Sequence, residues 1–226
     1  DKKYKKKNIS DVTKQALRGI KNITEIHGSR DYFRVKANHS IFMEIIPVLR
    51  VSNPKEAENI TDLSYFHVKY IEKKIKSKKL LDQIRIAKAF CHANNVYGAE
   101  SYISGFSGYG LELLIYHYKT FLNFIKAVSK TDVNNKDKLI IDIEKNYKNK
   151  AQILLDINKA KLSSPIILID PTYKQRNVLA ALSQETFNNF REACKQFLRN
   201  PSPKAFEIKR LNLEDIRNKS KKNKNE

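Results

Sequence analysis

The chain has 226 residues, 41% hydrophobic and 10% aromatic, enough to bury a core in one or two domains, which excludes a disordered class. Its 44 Lys and Arg against 24 Asp and Glu give a net charge of +20 and a pI near 9.8. That balance predicts attraction to polyanions, nucleic acid foremost, although a lysine-rich solvated surface gives the same count.

Cys91 and Cys194 are flanked by apolar residues in helical patterns, so they read as small core residues in a reducing compartment rather than a disulfide or zinc pair. No apolar run reaches membrane-spanning length and no signal peptide is recognisable, which predicts a soluble, cytoplasmic protein without a membrane partner.

In chain order, a charged opening, DKKYKKKN, precedes a helix predicted over Ile9–Ile26, with Val12, Ala16, Leu17, Ile20 and Ile23 on one face. The pattern then becomes that of a β-hairpin. Tyr32 to Ala37 alternates, Asn38 to Ser40 turns, and Ile41 to Ile46 returns as an apolar strand stopped by Pro47. Asp62-Leu63-Ser64 reads as a helix start before Tyr65 to Ile75, and Leu80 to Ala93 forms the next helix.

A Gly- and Tyr-rich stretch, NNVYGAESYISGFSGYG, enters a helix whose stripe runs Leu111, Leu114, Ile115, Tyr118, Phe121, Leu122, Ile125 and Val128. Gly105, Gly108 and Gly110 allow close approach of a ligand or a neighbouring helix, and on local chemistry alone simple packing is the favoured account. GFSGYG is not a nucleophile elbow, because Tyr109 stands where the second glycine is needed, nor does it have the G-x-G-x-x-G order.

Beyond Val128, SKTDVNNKDK reads as a polar loop. Leu139 to Ile143 and Pro165 to Ile169 read as short strands, the second closed by Asp170-Pro171. A short helix is predicted over Arg176 to Leu182. Ser183 then caps a longer helix with Phe187, Phe190, Cys194, Phe197 and Leu198 on one face, ended by Asn200-Pro201. The terminal KSKKNKNE reads as a disordered basic tail.

Several residues invite a chemical reading. Glu44 is the one carboxylate in the apolar strand FMEIIP, so it needs a partner, a metal or a wet cleft, unless alternation turns it to solvent. His67, Lys88 and Tyr97 fit a triphosphate site, with cations facing phosphate and a ring facing sugar or base. Each has a plainer reading as a surface cation or a packing ring. Arg176 alone is an ordinary surface cation.

YGAE at 97–100, GFSGY at 105–109, the leucine-rich helix after it, and Asp170-Pro171 followed by Arg176-Asn177-Val178 and Ala181-Leu182 resemble the archaeal-type (class I) CCA-adding tRNA nucleotidyltransferases. The resemblance implies template-independent transfer of CMP and AMP from CTP and ATP to the 3′ end of tRNA. In this superfamily Mg²⁺ ions are held by three carboxylates. Glu44 matches the third of these, in place of the usual Asp. Ser64-Tyr65-Phe66-His67 matches a Thr-x-x-His element with Ser64 for Thr. By the same resemblance Ser64, His67, Lys88 and Tyr97 contact the incoming nucleotide, and Arg176 hydrogen-bonds its base.

The first two carboxylates belong to an acid-x-acid strand after a Gly-Ser turn, and neither Gly28-Ser29 nor Asp142-Ile143-Glu144 supplies it in frame and order. The reading therefore expects a missing N-terminal catalytic segment, with a homodimer or a companion chain as possible partners. The expected class is α+β. A partial nucleotidyltransferase palm of helix plus hairpin spans 1–62, a helical nucleotide-contacting region 63–132, a small α+β RNA-facing region 133–208 and the tail 209–226. A non-catalytic RNA-binding module, or a related transferase acting on another RNA, is the alternative.

Overall fold

The computed structural model describes residues 8–39, 41–131 and 138–208, so the charged opening at 1–7, the middle of the polar loop at 132–137 and the basic tail at 209–226 lie outside the described residues. The chain is mixed α+β and falls into two units, Asp1–Lys73 and Lys74–Glu226.

In the first unit, helix α1 (Ile9–Ala16) starts where the Asn8 side chain accepts the Ser10 N–H. It ends ten residues short of the predicted Ile26, a correction with a backbone cause. Gly19 and Asn22 adopt positive φ (96° and 59°), which no helix accommodates, and Ile23–Ile26 becomes strand β1 instead. β1 pairs antiparallel with β2 (Tyr32–Lys36), which pairs antiparallel with β3 (Phe42–Ile45). The hairpin is as predicted, and the sheet gains one strand in the order β1-β2-β3. Alternation on β2 buries Phe33 and Val35 and exposes Arg34 and Lys36.

Asp62 organises the loop that follows. Its carboxylate is fully buried, pairs with the Arg30 guanidinium, and accepts the N–H groups of Leu49, Glu58 and Asn59. Burial alone pushes this carboxyl up, but the Arg30 hydrogen bond and the backbone donors outweigh it and hold it below the usual range. With Asn59 it forms a capping box that leads through a 3₁₀ turn into α2 (Ser64–Lys74), as the sequence predicts.

The second unit is built on aromatic packing. Helix α3 (Lys78–Ala93) places Phe90 edge-on to Phe121, Phe190, Phe197 and Phe206, with centroids 5.2, 6.0, 5.6 and 5.5 Å away. The stripe from Leu111 to Val128 is divided between α4 (Gly108–Tyr118) and α5 (Phe121–Ser129), where one continuous helix was expected. Lys119 takes the left-handed conformation (φ 71°), Thr120 caps the new helix by accepting the Asn123 N–H, and Gln83 accepts the Phe121 N–H.

Strands β4 (Leu139–Ile141) and β5 (Ile166–Leu168) are parallel and joined through α6 (Lys150–Asp156), a helix without a counterpart in the sequence reading. Ile153, Ile157, Ile167 and Ile169 form their own small core. The last helix, α7 (Gln184–Arg199), is capped by the Ser183 hydroxyl as expected and buries Phe187, Phe190 and Cys194. Cys91 and Cys194 are both buried free thiols, and burial pushes both well above the ordinary thiol range. No helix among the described residues is long and apolar enough to cross a membrane.

Candidate functional site

The N-terminus of α4 is where the predicted residues of the second unit meet. α3 ends at Ala93, and Asn95 takes a positive φ (56°) before the chain runs into the glycine-rich loop. There Tyr97 bridges Phe106, with backbone bonds from Gly98 N–H to Phe106 O and from Phe106 N–H to Val96 O at 2.9 and 2.8 Å. Gly105 lies against the Val96 carbonyl, so its lack of a side chain is a packing requirement. The loop thus returns Tyr97 to the start of α4. A Cβ added to Gly108 would lie 2.9 Å from the Tyr97 hydroxyl and 3.8 Å from Lys88 Nζ, so ring and ammonium face the same first residue of the helix.

Each group has company that the sequence reading missed. Lys88 Nζ donates to Glu112 on α4 at 2.7 Å, both side chains about three-tenths exposed or less. The exposed ring of His92 stacks on Tyr97 with centroids 3.9 Å apart and planes 25° from parallel. The helix entry itself carries no acid in its first turn, and Ser107 caps it by accepting the Gly110 N–H at 3.1 Å.

Arg176 joins this end of α4 through a buried network. It is not at the start of a helix as predicted: 176–182 is a turn, held by Asn177, whose side-chain oxygen accepts the N–H groups of Leu168 and Leu179 while its amide donates to Lys161 O. Those bonds tie the segment to the end of β5 and leave no helical ladder to form. The Asp170 carboxylate, fully buried, accepts from Arg176 Nη1 at 2.7 Å, from the Thr172 N–H and hydroxyl at 2.8 Å each, and from the Tyr109 hydroxyl at 3.2 Å. Tyr109 belongs to the first turn of α4. Burial, with the Asp170 charge beside it, pushes its phenol far above the ordinary tyrosine range, so it stays a donor. One residue on, a Gly110 Cβ would sit 2.7 Å from Leu179 Cδ2, so helix and turn are in direct contact.

The other predicted residues lie in the first unit. Glu44, on β3, is nearly half-exposed and pairs with its cross-strand neighbour Arg34 at 2.6 Å. Ser64 is exposed at the start of α2, and His67 follows one turn later, partly exposed. Among the described residues no group of three His, Cys, Asp or Glu is placed to hold a metal ion, and Glu44 is a single carboxylate already engaged by Arg34. The residues present therefore do not by themselves fit a two-metal centre. Asp142 accepts the Tyr147 N–H, and Glu144 pairs with Lys74 at 2.7 Å, which gives both acids structural partners. Neither of two surface hollows includes a predicted site residue. One, of about 390 Å³, is lined by Asn22 and Lys36–His39, and the other, of about 280 Å³, lies between α3, α7 and Lys204.

The fold first defines a class. CdnC of E. coli MS115-1, in a complex with HORMA-deltaN and with ATP, shares the α+β arrangement at TM-scores of 0.51 and 0.54, over 88% of this chain and 66% and 67% of that one, at 15% identity. Sequence then narrows it. Residues 82–207 match the model of the tRNA nucleotidyltransferase second domain, and the chain belongs to that family. It is 44% identical to the CCA-adding enzyme of Nanoarchaeum equitans over 82% of this chain and 46% of the relative. For the CCA-adding enzymes of Saccharolobus shibatae and Methanosarcina mazei, identity is 31% and 33%, over 91% and 73% of this chain and 45% and 32% of theirs. The chain thus spans less than half the length of these relatives.

Proposed function

We propose that this chain is the nucleotide-selecting part of a CCA-adding tRNA nucleotidyltransferase, which transfers CMP and AMP from CTP and ATP to the 3′ end of tRNA in the cytoplasm. The observation that carries the reading is the gathering of Lys88, Tyr97 and, through Tyr109 and Asp170, Arg176 at the entry of α4. A triphosphate would draw Lys88 away from Glu112, and the Tyr97 ring would face sugar or base. Arg176 offers donors only. A donor opposite the pairing edge of a base is matched by the bare ring nitrogen of cytosine or adenine and opposed by the N–H of uracil or guanine.

By the same reading Ser64 and His67 are also nucleotide contacts, and residues 1–62 form part of a palm. Residues 63–132 make up the helical nucleotide-contacting region. Residues 133–208 face RNA, which the +20 charge favours. Metal dependence is general among nucleotidyltransferases. We assign Glu44 as one carboxylate of a Mg²⁺ site that needs further acids, which a companion chain would supply. A non-catalytic RNA-binding module is not favoured, since the relatives across most of the chain are CCA-adding enzymes by name.

The test is equilibrium binding of CTP. Lys88→Ala and Arg176→Ala should each weaken binding about ten-fold, the loss of one charge-assisted contact, while Lys126→Ala, on the exposed side of α5, should not. Equal affinity in all four proteins would refute the site.

A further inference from the structure

Resting on that reading, we propose that Tyr109 and Asp170 are positioning residues that preset the Arg176 guanidinium and thereby set base discrimination. An arginine on a surface turn carries many rotamers, and a donor that wanders meets an acceptor or an N–H with little preference. Arg176 is not of that kind. Its side chain is only 18% exposed, and Asp170, wholly buried, anchors it through Nη1. Asp170 is itself over-determined: Thr172 grips it twice, and the Tyr109 hydroxyl reaches it from another element, α4. One guanidinium nitrogen, Nη1, is therefore spent on the anchor.

The link to α4 gives the anchor a reference frame. Tyr109 and Gly110 lie in the same helical turn as Gly108, which meets the Tyr97 hydroxyl and Lys88. The Tyr109 bond and the Gly110–Leu179 contact fix the Arg176 turn to that helix end at two points. The distance between the group that would hold phosphate and the group that would read the base is then set by α4.

Two variants separate positioning from bare support. Tyr109→Phe keeps the buried ring and deletes the hydroxyl. Asp170→Asn keeps the shape and deletes the charge. In the 226-residue chain, the ratio of CTP to UTP affinity should fall about five-fold in Tyr109→Phe, the share of one hydrogen bond to a charged group, while CTP affinity itself changes less. The ¹⁵N signal of the Arg176 side chain, sharp in the parent, should broaden. A Tyr109→Phe protein with lowered Tm but an unchanged CTP-to-UTP ratio and a sharp Arg176 signal would overturn the proposal, because a purely structural tyrosine gives that result. If the parent chain shows no preference for CTP over UTP, the nucleotide-site reading fails and this inference fails with it. If Asp170→Asn does not fold, Tyr109→Phe decides the matter alone.

Discussion

Gly110→Ala is the most demanding test of the joint between α4 and the Arg176 turn. Two effects oppose each other. Alanine within a helix is worth about 1 kcal/mol more than glycine, and less than that in the first turn. Against it, the new Cβ would lie 2.7 Å from Leu179 Cδ2, 3.0 Å from the capping Ser107 hydroxyl and 3.6 Å from Val178 Cγ1. The first is closer than real Cβ atoms come, and the second is tight enough that the neighbour must give. Leu179 is 1% exposed and Val178 6%, so neither can swing into solvent. Overpacking of this kind costs about 1–3 kcal/mol, and the clash also threatens the Ser107 cap. The clash should win by about 1–2 kcal/mol, read as a urea midpoint shifted downward in chemical denaturation, with a weakened CTP-to-UTP ratio. Gly28→Ala is the control, since its Cβ would meet nothing closer than 3.4 Å. A Gly110→Ala protein as stable as the parent, or more stable, would show that α4 and the turn are not in the contact described.

Three further outcomes follow from the same structure. Asp62→Asn should destabilise the first unit by about 3–5 kcal/mol, because it strands Arg30. Because the native Asp62 pKa is lowered, its contribution is present above the unfolded-state value near 3.9 and fades as pH falls through the lowered native value. Acid unfolding curves of the variant should therefore lose steepness below about pH 4, and identical slopes would count against the buried pair. Cys91 and Cys194, buried with raised thiol pKa values, should stay unreactive to a thiol reagent in the folded chain and both react once it is unfolded; rapid labelling of either in the native state would contradict their burial. With Mg²⁺, CTP and ATP the 226-residue chain alone should not incorporate labelled CMP, since Glu44 is a single acid bound to Arg34; incorporation would mean a second and third acid have been overlooked.

Local chemistry made much of this fold legible. The alternation of Tyr32 to Lys36, the apolar return through Phe42 to Ile45, and the Ser183 cap each state their structure in a few residues. What was hidden depended on backbone sign and on distant partners. Ile20 and Ile23 continue a helical period, yet Gly19 and Asn22 turn the chain into β1. The Leu111–Val128 stripe keeps helical spacing across the break at Lys119, because two helices packed on one core preserve the stripe that a single helix would show. In the site, an isolated acid closing or interrupting an apolar strand is a signal that two residues share. Glu44 met it, and so did Asp170 at the end of PIILID. Glu44 is on an exposed strand with an exposed arginine, whereas Asp170 is buried and engages three side chains. Tyr109 stands in the sequence as the residue that spoils a glycine motif, and nothing in the spacing of 109 and 170 announces that they touch.

The most direct test is to map CTP onto the folded chain by its effect on backbone amide NMR signals. The account predicts that the largest shifts fall on Tyr97, on Gly108 to Gly110 and around Arg176, with the Lys88 side chain responding as Glu112 releases it. The hollow between α3 and α7 offers a ready alternative, lined by Asn94, Gln196, Asn200 and Lys204 over Phe90 and Phe197. Shifts confined to those residues, with Tyr97 and Gly108 unmoved, would contradict the nucleotide site at the entry of α4.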